Sequence, residues 1–424
     1  MTDLLTADEA ERLVDSYMEN ADVSRPTQQM LDDGEAPRLK GYVVKPGKVS
    51  DSIFGGTGSF TVDADKEPVY GSLSESRLTD KTYFEVTEDG KTKRKVTISF
   101  ENSPFDTPDG TPVRSMVRTK RISTHDILRG EIPFKDQALA MNHNFMRKVL
   151  SFAIGTSQYE TSLPDNSVVI AAENLRQIAF ENVLRAYMAR STTSTSLYVH
   201  YMNGEREFCG HHLPEGLYPN CGLPYVMDTP STKSDEHDES VSPQQLFDMG
   251  VCTPEQYAAI RDGSMNAFYT VSDFLKSRGV IAVDTKTEHG INRKGEIVSQ
   301  DEIWTMDSSR FWLADDYNTQ RDLFNHAEPG DLRRHLEETQ PGIKEKDFLY
   351  NNMVGMCPIS YSKEFARGFS IGKEGYTDEQ ARQIAIRYIE GLQNLIGVRF
   401  EPDMRPYEQR VIEGLNTVVR ELSL

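Results

Sequence analysis

Apolar residues recur along the chain with two spacings, one typical of helices and one typical of strands. Helical spacing follows Thr6, Thr253 and Thr377, and Glu or Gln stands three residues after each threonine, as in a capping box. A further helix is predicted over 138–152. Strands are predicted at 81–86, 95–100, 118–128, 167–172 and 178–187, where apolar residues alternate or are β-branched.

The most informative stretch runs from residue 280 to residue 312. Its apolar start predicts a buried strand. Charged residues then alternate along this strand and project from one face, because side chains in a strand repeat every second residue. These residues are Asp284, Lys286 and Glu288. A turn signal near Lys294 sends the chain back, and a hairpin centred there is expected to place Asp301 opposite Glu288.

Two carboxylates that face each other repel unless a cation lies between them, and a divalent metal ion meets that need. We therefore predict that Glu288 and Asp301 bind a metal. Ser309 and Arg310 follow in a polar loop, and the arginine suits a phosphate or a carboxylate. A metal site beside an anion-binding arginine indicates nucleotide chemistry. The alternative is a surface hairpin with scattered charges.

Composition narrows the class of protein. A chain of 424 residues, 37% hydrophobic and 27% charged, is typical of a globular protein with two or three lobes. No apolar run approaches the ~20 residues that span a bilayer, and the first residues lack the features of a signal peptide. The four cysteines lack CxxC spacing, so free thiols and a cytoplasmic location are expected. A net charge of -19 argues against binding to duplex nucleic acid.

A long polar loop over 207–242 carries reactive side chains that can grip an anionic substrate. They are Ser231, Thr232, Lys233, His237 and Asp238. The alternative is a solvated loop. A zinc site in this loop is a further alternative, but the spacing of the candidate ligands matches no common zinc site. Those candidates are Cys209, His211, His212 and Cys221.

No phosphate-binding glycine loop of the common types occurs, so a nucleotide site must be of another kind. Arg185 lies near the end of a predicted strand and Ser191 lies shortly after it. An arginine with a nearby hydroxyl can clamp a phosphate, although a surface arginine is an equally good interpretation.

Three runs, at 228–243, 282–290 and 301–312, resemble the SAICAR synthetase family. Weaker likeness extends over residues 73–400. The resemblance implies an α+β fold with an antiparallel N-terminal nucleotide-binding lobe, a second α+β lobe and C-terminal helices. We divide the chain into three parts, namely an N-terminal helix with an irregular extension, an N-terminal antiparallel-sheet lobe, and a substrate- and metal-binding α+β lobe with C-terminal helices. These parts are 1–72, 73–175 and 176–424.

The resemblance also implies an activity, namely ATP- and Mg²⁺-dependent joining of L-aspartate to a carboxyaminoimidazole ribotide with release of ADP and phosphate. It implies that the catalytic residues are Lys286, Asp284, Asp126, Lys233 and His237. It implies that the residues that bind substrates are Arg185, Ser191, Arg310, Ser309, Arg121, Ser123, Ser231, Thr232 and Asp238. It implies that the residues that bind the nucleotide are Glu75, Arg77, Glu181, Lys286, Glu288 and Asp301, the last two through the metal.

Several residues depart from the family pattern. Arg77 stands in place of a lysine, Lys120 in place of an acidic residue and His289 in place of an aromatic one, while Ala186 and Arg190 replace glycines. These departures suggest a divergent branch. One alternative is therefore the same amide-forming chemistry on a different acid and amine. A second is a non-catalytic nucleotide-binding homologue.

Overall fold

The fold was analysed in a computed structural model. It describes residues 4–20, 27–32, 43–54, 58–64, 78–88, 91–100, 109, 111, 113–124, 127–191, 193, 195–233, 238–326, 328–340, 356–369, 371–372 and 375–422.

Helices occur from the first described residues to the last. They are α1 (Ala7–Glu19), α2 (Thr27–Asp32), α3 (Lys135–Val149), α4 (Leu197–Met202), α5 (Pro243–Asp248), α6 (Pro254–Lys276), α7 (Ala314–His326), α8 (Pro329–Thr339), α9 (Lys363–Arg367), α10 (Asp378–Ile396) and α11 (Tyr407–Glu421). The capping boxes predicted at Thr6, Thr253 and Thr377 are confirmed, because each hydroxyl accepts the N–H of the residue three places on. In the part of the chain that the structure describes, no helix has the length and apolar character needed to cross a membrane.

Strands fall into several antiparallel sheets. They are β1 (Val43–Pro46), β2 (Ser50–Phe54), β3 (Gly58–Asp63), β4 (Leu78–Glu88), β5 (Lys91–Phe100), β6 (Val113–Arg118), β7 (Arg121–Thr124), β8 (Ile127–Glu131), β9 (Val169–Glu173), β10 (Arg176–Tyr187), β11 (Glu207–Phe208), β12 (His211–His212), β13 (Gly222–Asp228), β14 (Ser231–Thr232), β15 (Val280–Ile291), β16 (Ile297–Ser299) and β17 (Ser309–Leu313).

The largest sheet has the order β13-β10-β15-β16, with β14 also paired to β10 and β17 also paired to β15. A second sheet has the order β1-β2-β6-β9, and a third has the order β3-β5-β4. Helices α3, α6 and α10 contribute to one hydrophobic core beside the largest sheet, in which Trp304, Phe311 and Tyr388 are buried. The expected α+β class is confirmed.

The N-terminal part of the chain is more regular than the sequence suggested. The expectation of an irregular extension is wrong for β1, β2 and β3, since β1 and β2 form one edge of the second sheet. The buried side chains of Val44 and Ile53 explain why these strands form, because they pack into a core with Val117 and Val411. Short strands with few alternating residues gave too weak a pattern to be recognised. The proposed division into three parts stays a prediction.

The boundaries of other helices and strands also differ from those predicted from the sequence. The single strand predicted over 118–128 is broken, because β6 ends at Arg118 and the chain turns into the β7–β8 hairpin. The helix predicted over 138–152 begins at Lys135 and ends at Val149. Residues 313–360, for which no helix or strand was predicted, include α7 and α8.

Candidate functional site

Two central strands of the largest sheet, β10 and β15, bring the charged residues together. Their antiparallel register pairs Glu181 with Glu288 and Arg185 with Asp284. Lys286 pairs with Val183 between these two positions. Because alternate residues share a face, Glu288, Lys286 and Asp284 lie in a row along the strand, as the sequence predicted.

One end of this row is a cluster of carboxylates and lysines. Lys286 Nζ lies 2.5 Å from Glu181 Oε1 and 3.2 Å from Glu288 Oε1. Lys233, which follows β14, donates to the other oxygen of Glu288. Ser231 Oγ donates to Glu181 Oε2 over 3.2 Å. The side chain of Glu288 is 8% exposed, whereas those of Lys286 and Lys233 are 40% and 37% exposed, so the ammonium groups border solvent.

The electrostatics here favour the charged forms of Lys286 and of the neighbouring Asp301. Burial by itself lowers the pKa of Lys286, but the charges of Glu288 and Glu181 outweigh it and raise that pKa. Burial raises the pKa of Asp301, but the charges of Arg114 and Lys233 bring it below its usual value. The cluster is therefore an array of ion pairs that can exchange partners with an incoming polyanion.

The other end of the row is built from arginines around one aspartate. Arg310 in β17 donates from Nε to both oxygens of Asp284 over 3.0 Å, and Arg185 Nη1 lies 3.2 Å from Asp284 Oδ2. A second contact of Arg310, from Nη1 to the carbonyl of Arg190 over 3.0 Å, holds the 190–191 loop beside the pair. Glu364 in α9 also lies 3.4 Å from Arg310 Nη1.

Charge separation in this second cluster is strongly favoured. Burial raises the pKa of Asp284, yet the positive charges of Arg310 and Arg185 bring it below its usual value. Burial lowers the pKa of Arg310, and Asp284 raises it above its usual value. Burial is the largest cause of a lowered pKa at Arg185. Arg310 and Arg185 share Asp284, Glu364 is a second carboxylate partner of Arg310, and Arg367 is a third cation that acts on Asp284. Three cations therefore face two carboxylates, which leaves positive charge for an anion.

The predicted opposition of Asp301 and Glu288 is wrong by one residue. The ladder pairs Ile291 with Ile297 and His289 with Ser299, and the Gln300 N–H then donates to the Glu288 carbonyl over 2.9 Å. Asp301 therefore lies one place beyond the residue opposite Glu288. Both carboxylates still act on Arg114, which each of them stabilises in its charged form.

The donor set was tested for its fit to Mg²⁺. Among the described residues, no group of three or more His, Cys, Asp and Glu side chains is arranged to hold a metal ion. Mg²⁺ is commonly held by one or two protein carboxylates, with phosphate and water supplying the remaining oxygens. Glu288 and Asp301 supply carboxylates of that kind at one edge of the site. The residues present therefore fit an ion that arrives with a nucleotide, although the metal assignment stays a prediction.

Other predicted site residues have structural partners of their own. The Ser309 and Thr285 hydroxyls lie 2.8 Å apart and are buried. Ser191 Oγ lies 2.9 Å from Thr193 Oγ1, and Thr232 Oγ1 accepts the Glu239 N–H over 2.9 Å.

Two of the predicted substrate-binding residues lie in β7. Arg121 and Ser123 belong to that strand, with Ser123 buried. Asp238 is the first described residue after Lys233. The remaining predicted site residues lie outside the described residues; they are Glu75, Arg77, Asp126 and His237.

The candidate zinc ligands of the sequence analysis have other structural roles. His211 Nε2 lies 3.1 Å from Asp228 Oδ1, and His212 Nδ1 lies 2.8 Å from Glu207 Oε1. Cys209 and Cys221 are buried free thiols, and burial raises the pKa of Cys209 to about 12. A thiol that resists ionisation is a poor zinc ligand.

Comparison with known proteins identifies the family to which this chain belongs. The profile of SAICAR synthetase matches residues 103–347, which is more than half of the chain. The chain belongs to the SAICAR synthetase family. It is therefore an enzyme of the ATP-dependent ligase class, as the resemblance implied.

Individual relatives agree with this assignment. A putative phosphoribosylaminoimidazole-succinocarboxamide synthase 2 of Mesorhizobium japonicum is 30% identical over 302 residues, which are 71% of this chain and 87% of that protein. The phosphoribosylaminoimidazole-succinocarboxamide synthase of Legionella pneumophila strain Paris is 34% identical over 299 residues, 69% of this chain and 85% of that protein.

Solved structures show the same fold. A SAICAR synthase aligns with a TM-score of 0.54 at 20% identity, over 87% of this chain and 98% of that chain. A SAICAR synthase of Saccharomyces cerevisiae complexed with SAICAR aligns with a TM-score of 0.52, also at 20% identity and with the same coverage. The shared fold extends beyond the matched profile on both sides.

Sequence reasoning assigned no role to two cations on α9 of this SAICAR synthetase family member. Lys363 and Arg367 lie one helical turn apart, on one side of the short helix that also carries Glu364. Arg367 is exposed and acts electrostatically on Asp284, which places it beside the arginine–aspartate cluster, whereas Lys363 acts on Asp307. The signal for this pair is the four-residue spacing of Lys363 and Arg367, which places both on one side of a helix.

Proposed function

We propose that this enzyme joins L-aspartate to carboxyaminoimidazole ribotide, using ATP and Mg²⁺ and releasing ADP and phosphate. The observation that carries the proposal is the β10–β15 register, which sets a carboxylate–lysine cluster beside an arginine–aspartate cluster on one face of one sheet. A reaction between a nucleoside triphosphate and a phosphorylated acid needs both kinds of binding site side by side.

The carboxylate–lysine cluster suits the triphosphate. Lys286 and Lys233 border solvent and can exchange their carboxylate partners for phosphate oxygens. Glu288 and Asp301 would hold Mg²⁺, and the bound ion would neutralise negative charge on the phosphates. Glu181, fixed by Ser231, keeps Lys286 in place while its other contact changes.

The arginine–aspartate cluster suits the phosphate of the ribotide. Arg310 and Arg185 are held by Asp284 and so are already oriented before a ligand arrives. Arg310 also holds the carbonyl of Arg190, next to Ser191, whose hydroxyl can add a hydrogen bond to the phosphate. Preorganised donors lose little entropy on binding, which favours an arginine pair over flexible lysines at this position.

The chemistry follows from the nature of a carboxylate. Hydroxide is a poor leaving group, so the carboxylate must first be activated. An oxygen of the ribotide carboxylate attacks the γ-phosphorus, the bond to the ADP oxygen breaks, and an acyl phosphate forms. The aspartate amine then attacks the acyl carbon, inorganic phosphate leaves, and the nitrogen loses a proton. Lys286 stabilises the negative charge on the transferring phosphoryl group.

ADP release tests the assignment. Purified protein with ATP, Mg²⁺, L-aspartate and the ribotide is expected to release ADP, and omission of any one component should stop it. ADP release that needs neither the ribotide nor aspartate would contradict the ligase assignment. No release with the complete mixture would favour a non-catalytic homologue, and release with another acid or amine would favour an altered substrate.

Glu288→Gln tests the nucleotide end of the site. The substitution preserves the shape of the side chain but removes the charge that holds Lys286 and is expected to bind Mg²⁺, so turnover should fall about 100-fold or more. The measurement is kcat for ADP release, with thermal unfolding to show that the fold is intact.

Glu215→Gln is the matched control for that substitution. Glu215 forms a 2.8 Å ion pair with Arg206, and its side chain is 80% exposed, so kcat should stay unchanged. Unaltered turnover in Glu288→Gln would contradict the metal assignment.

The cytoplasmic location expected from the sequence stays a prediction.

A further inference from the structure

A buried aspartate outside the matched profile reaches a predicted substrate residue. Asp51 lies in β2, well before residue 103, where the match to the family begins. Its side chain points to Arg121 in β7, and Asp51 Oδ1 lies 2.5 Å from Arg121 Nη2. The residue is 4% exposed. A buried carboxylate of this kind is stable only when it is well paired.

Both oxygens of Asp51 are occupied. Thr27 Oγ1, at the start of α2, donates to Asp51 Oδ2 over 2.7 Å, and Thr27 is 1% exposed. The aspartate therefore has a fixed orientation, with Thr27 on one side and Arg121 on the other. Two parts of the N-terminal segment thus act together on one arginine.

The guanidinium of Arg121 is also fixed at Nε. This nitrogen donates to Thr119 Oγ1 over 3.0 Å, and the Thr119 hydroxyl in turn donates to the carbonyl of Val49 over 2.7 Å. Among the described residues, Nη1 of Arg121 has no partner, and the side chain is 24% exposed. The arrangement holds one edge of the guanidinium and leaves donors on the other side for a ligand.

The position of Arg121 is close to the site. Strand β7 packs against α9, whose Glu364 lies 3.4 Å from Arg310 Nη1 in the arginine–aspartate cluster. An arginine with free donors in this place suits a carboxylate, because the planar guanidinium matches two carboxylate oxygens.

We propose that Asp51 is a positioning residue, which together with Thr27 orients Arg121 to bind a carboxylate of the acid substrates. The inference rests on the proposed function, since it takes L-aspartate and the ribotide as the acids. The N-terminal segment thereby becomes a working part of the site. Fixing an arginine costs side-chain entropy, so an arginine that is already held binds its ligand more tightly.

If Asp51 only neutralised Arg121 and did not orient it, its removal would change KM in the opposite direction. If the carboxylate acted only by neutralising Arg121, its removal would strengthen the attraction between Arg121 and an acid substrate, and KM would fall. If Asp51 orients Arg121, the same removal lets the guanidinium leave its productive position, and KM for aspartate or the ribotide rises. Asp51→Asn separates the two, because it removes the charge and nearly preserves the shape.

The experiment compares steady-state kinetics of the full-length chain with Asp51→Asn and Thr27→Val. We expect kcat/KM for at least one acid substrate to fall about 10-fold to 100-fold in Asp51→Asn, mainly through KM, with KM for ATP unchanged. Thr27→Val keeps the charge and should shift the same constant in the same direction by less. It also keeps the test decisive if Asp51→Asn folds poorly.

The matched control is Asp15→Asn, which removes a half-exposed aspartate of the same segment that lies 2.6 Å from Arg382. Its kinetic constants should match those of the unaltered protein. In the Arg121→Gln background, Asp51→Asn should have no further effect on KM, which a general structural role would not produce.

The outcomes are distinct. Failure of the unaltered protein to turn over these substrates would overturn the proposed function. An active protein in which both Asp51→Asn and Thr27→Val behave like Asp15→Asn, or in which KM for the acids falls, would overturn the positioning role alone.

Discussion

A lysine that is fully buried lies close to the site. Lys135 Nζ is 2.7 Å from Asp307 Oδ2, and the two side chains are 0% and 3% exposed. Burial raises the pKa of Asp307, but the charge of Lys135 and a hydrogen bond from the Tyr388 hydroxyl reduce it to about 2. Asp307 therefore stays ionised at neutral pH, and a buried carboxylate of this kind depends on its cationic partner for its stability in the interior.

Lys135→Met should expose that dependence. The substitution removes the cation that lies 2.7 Å from Asp307 and leaves Lys363 as the other positive neighbour of this carboxylate. Breaking a buried pair in this way costs about 3–5 kcal/mol in unfolding free energy. Urea denaturation at neutral pH measures the loss. Lys148→Met is the control, because its pair with Asp165 is about half exposed on both sides and should contribute about 1 kcal/mol or less. Equal losses in the two variants would contradict the account.

Side-chain partners were the least predictable feature from sequence. Alternation along one strand was enough to group Asp284, Lys286 and Glu288, because that spacing is local. The pairing of Arg121 with Asp51 joins residues 70 positions apart, and no local pattern marks it. Glu181 as the partner of Lys286 was likewise out of reach, since it required the register between two strands.

At the scale of elements, the turn that closes the β15–β16 hairpin explains the one-residue error. The side-chain oxygen of Asn292 accepts the N–H groups of Lys294 and Glu296 over 3.0 and 2.8 Å, and Gly295 adopts a φ of 83°. These contacts centre the loop on Lys294 and not between Lys294 and Gly295. Hydrophobic pattern located both strands, but turn geometry decided their register.

Three elements are joined at Asp228, the last residue of β13. The Tyr257 hydroxyl of α6 donates to Asp228 Oδ2 over 2.6 Å, and His211 of β12 lies 3.1 Å from Oδ1. Burial raises the pKa of Asp228, but hydrogen bonds from His211 and Tyr257 reduce it to about 2. The hydrogen bond to Asp228 raises the pKa of His211.

These shifts predict how stability at this joint depends on pH. The contribution of His211 is complete below its usual pKa of 6.5 and is lost as the pH rises through its higher folded value. The contribution of Asp228 is complete above its usual pKa of 3.8 and is lost as the pH falls towards about 2. His211→Gln should therefore reduce the unfolding free energy more at about pH 5.5 than at about pH 9.

Chemical denaturation at the two pH values measures this difference. The neighbouring His212 gives a matched control, because it and its partner Glu207 have side chains that are 74% and 72% exposed. His212→Gln should change stability little at either pH. A larger loss for His211→Gln at the higher pH would contradict the assigned direction.

At the scale of the whole molecule, the two ends of the chain are tied into one core. Helix α1 packs on α10, with Ala10 and Val14 buried in the core that contains Tyr388. Leu5 and the Gln393 side chain exchange hydrogen bonds of 2.9 and 3.2 Å. Ion pairs from Arg382 to α1 surround this contact. The N-terminal helix is therefore expected to unfold together with the rest of the core.

Val14→Ala distinguishes that expectation from independent fraying of α1. Val14 is 0% exposed, so loss of its methyl groups should reduce the global unfolding free energy by about 1–3 kcal/mol through lost burial and a residual cavity. One cooperative transition should shift to lower denaturant, whether it is followed by helix signal or by aromatic fluorescence. Arg12→Ala, on the exposed side of the same helix, should shift it by about 0.5 kcal/mol or less. Only a helix that is coupled to α10 can transmit the lost burial at Val14 to the unfolding of the whole molecule. A separate early transition in the helix signal, with the main transition unchanged, would therefore show that α1 unfolds independently of the core.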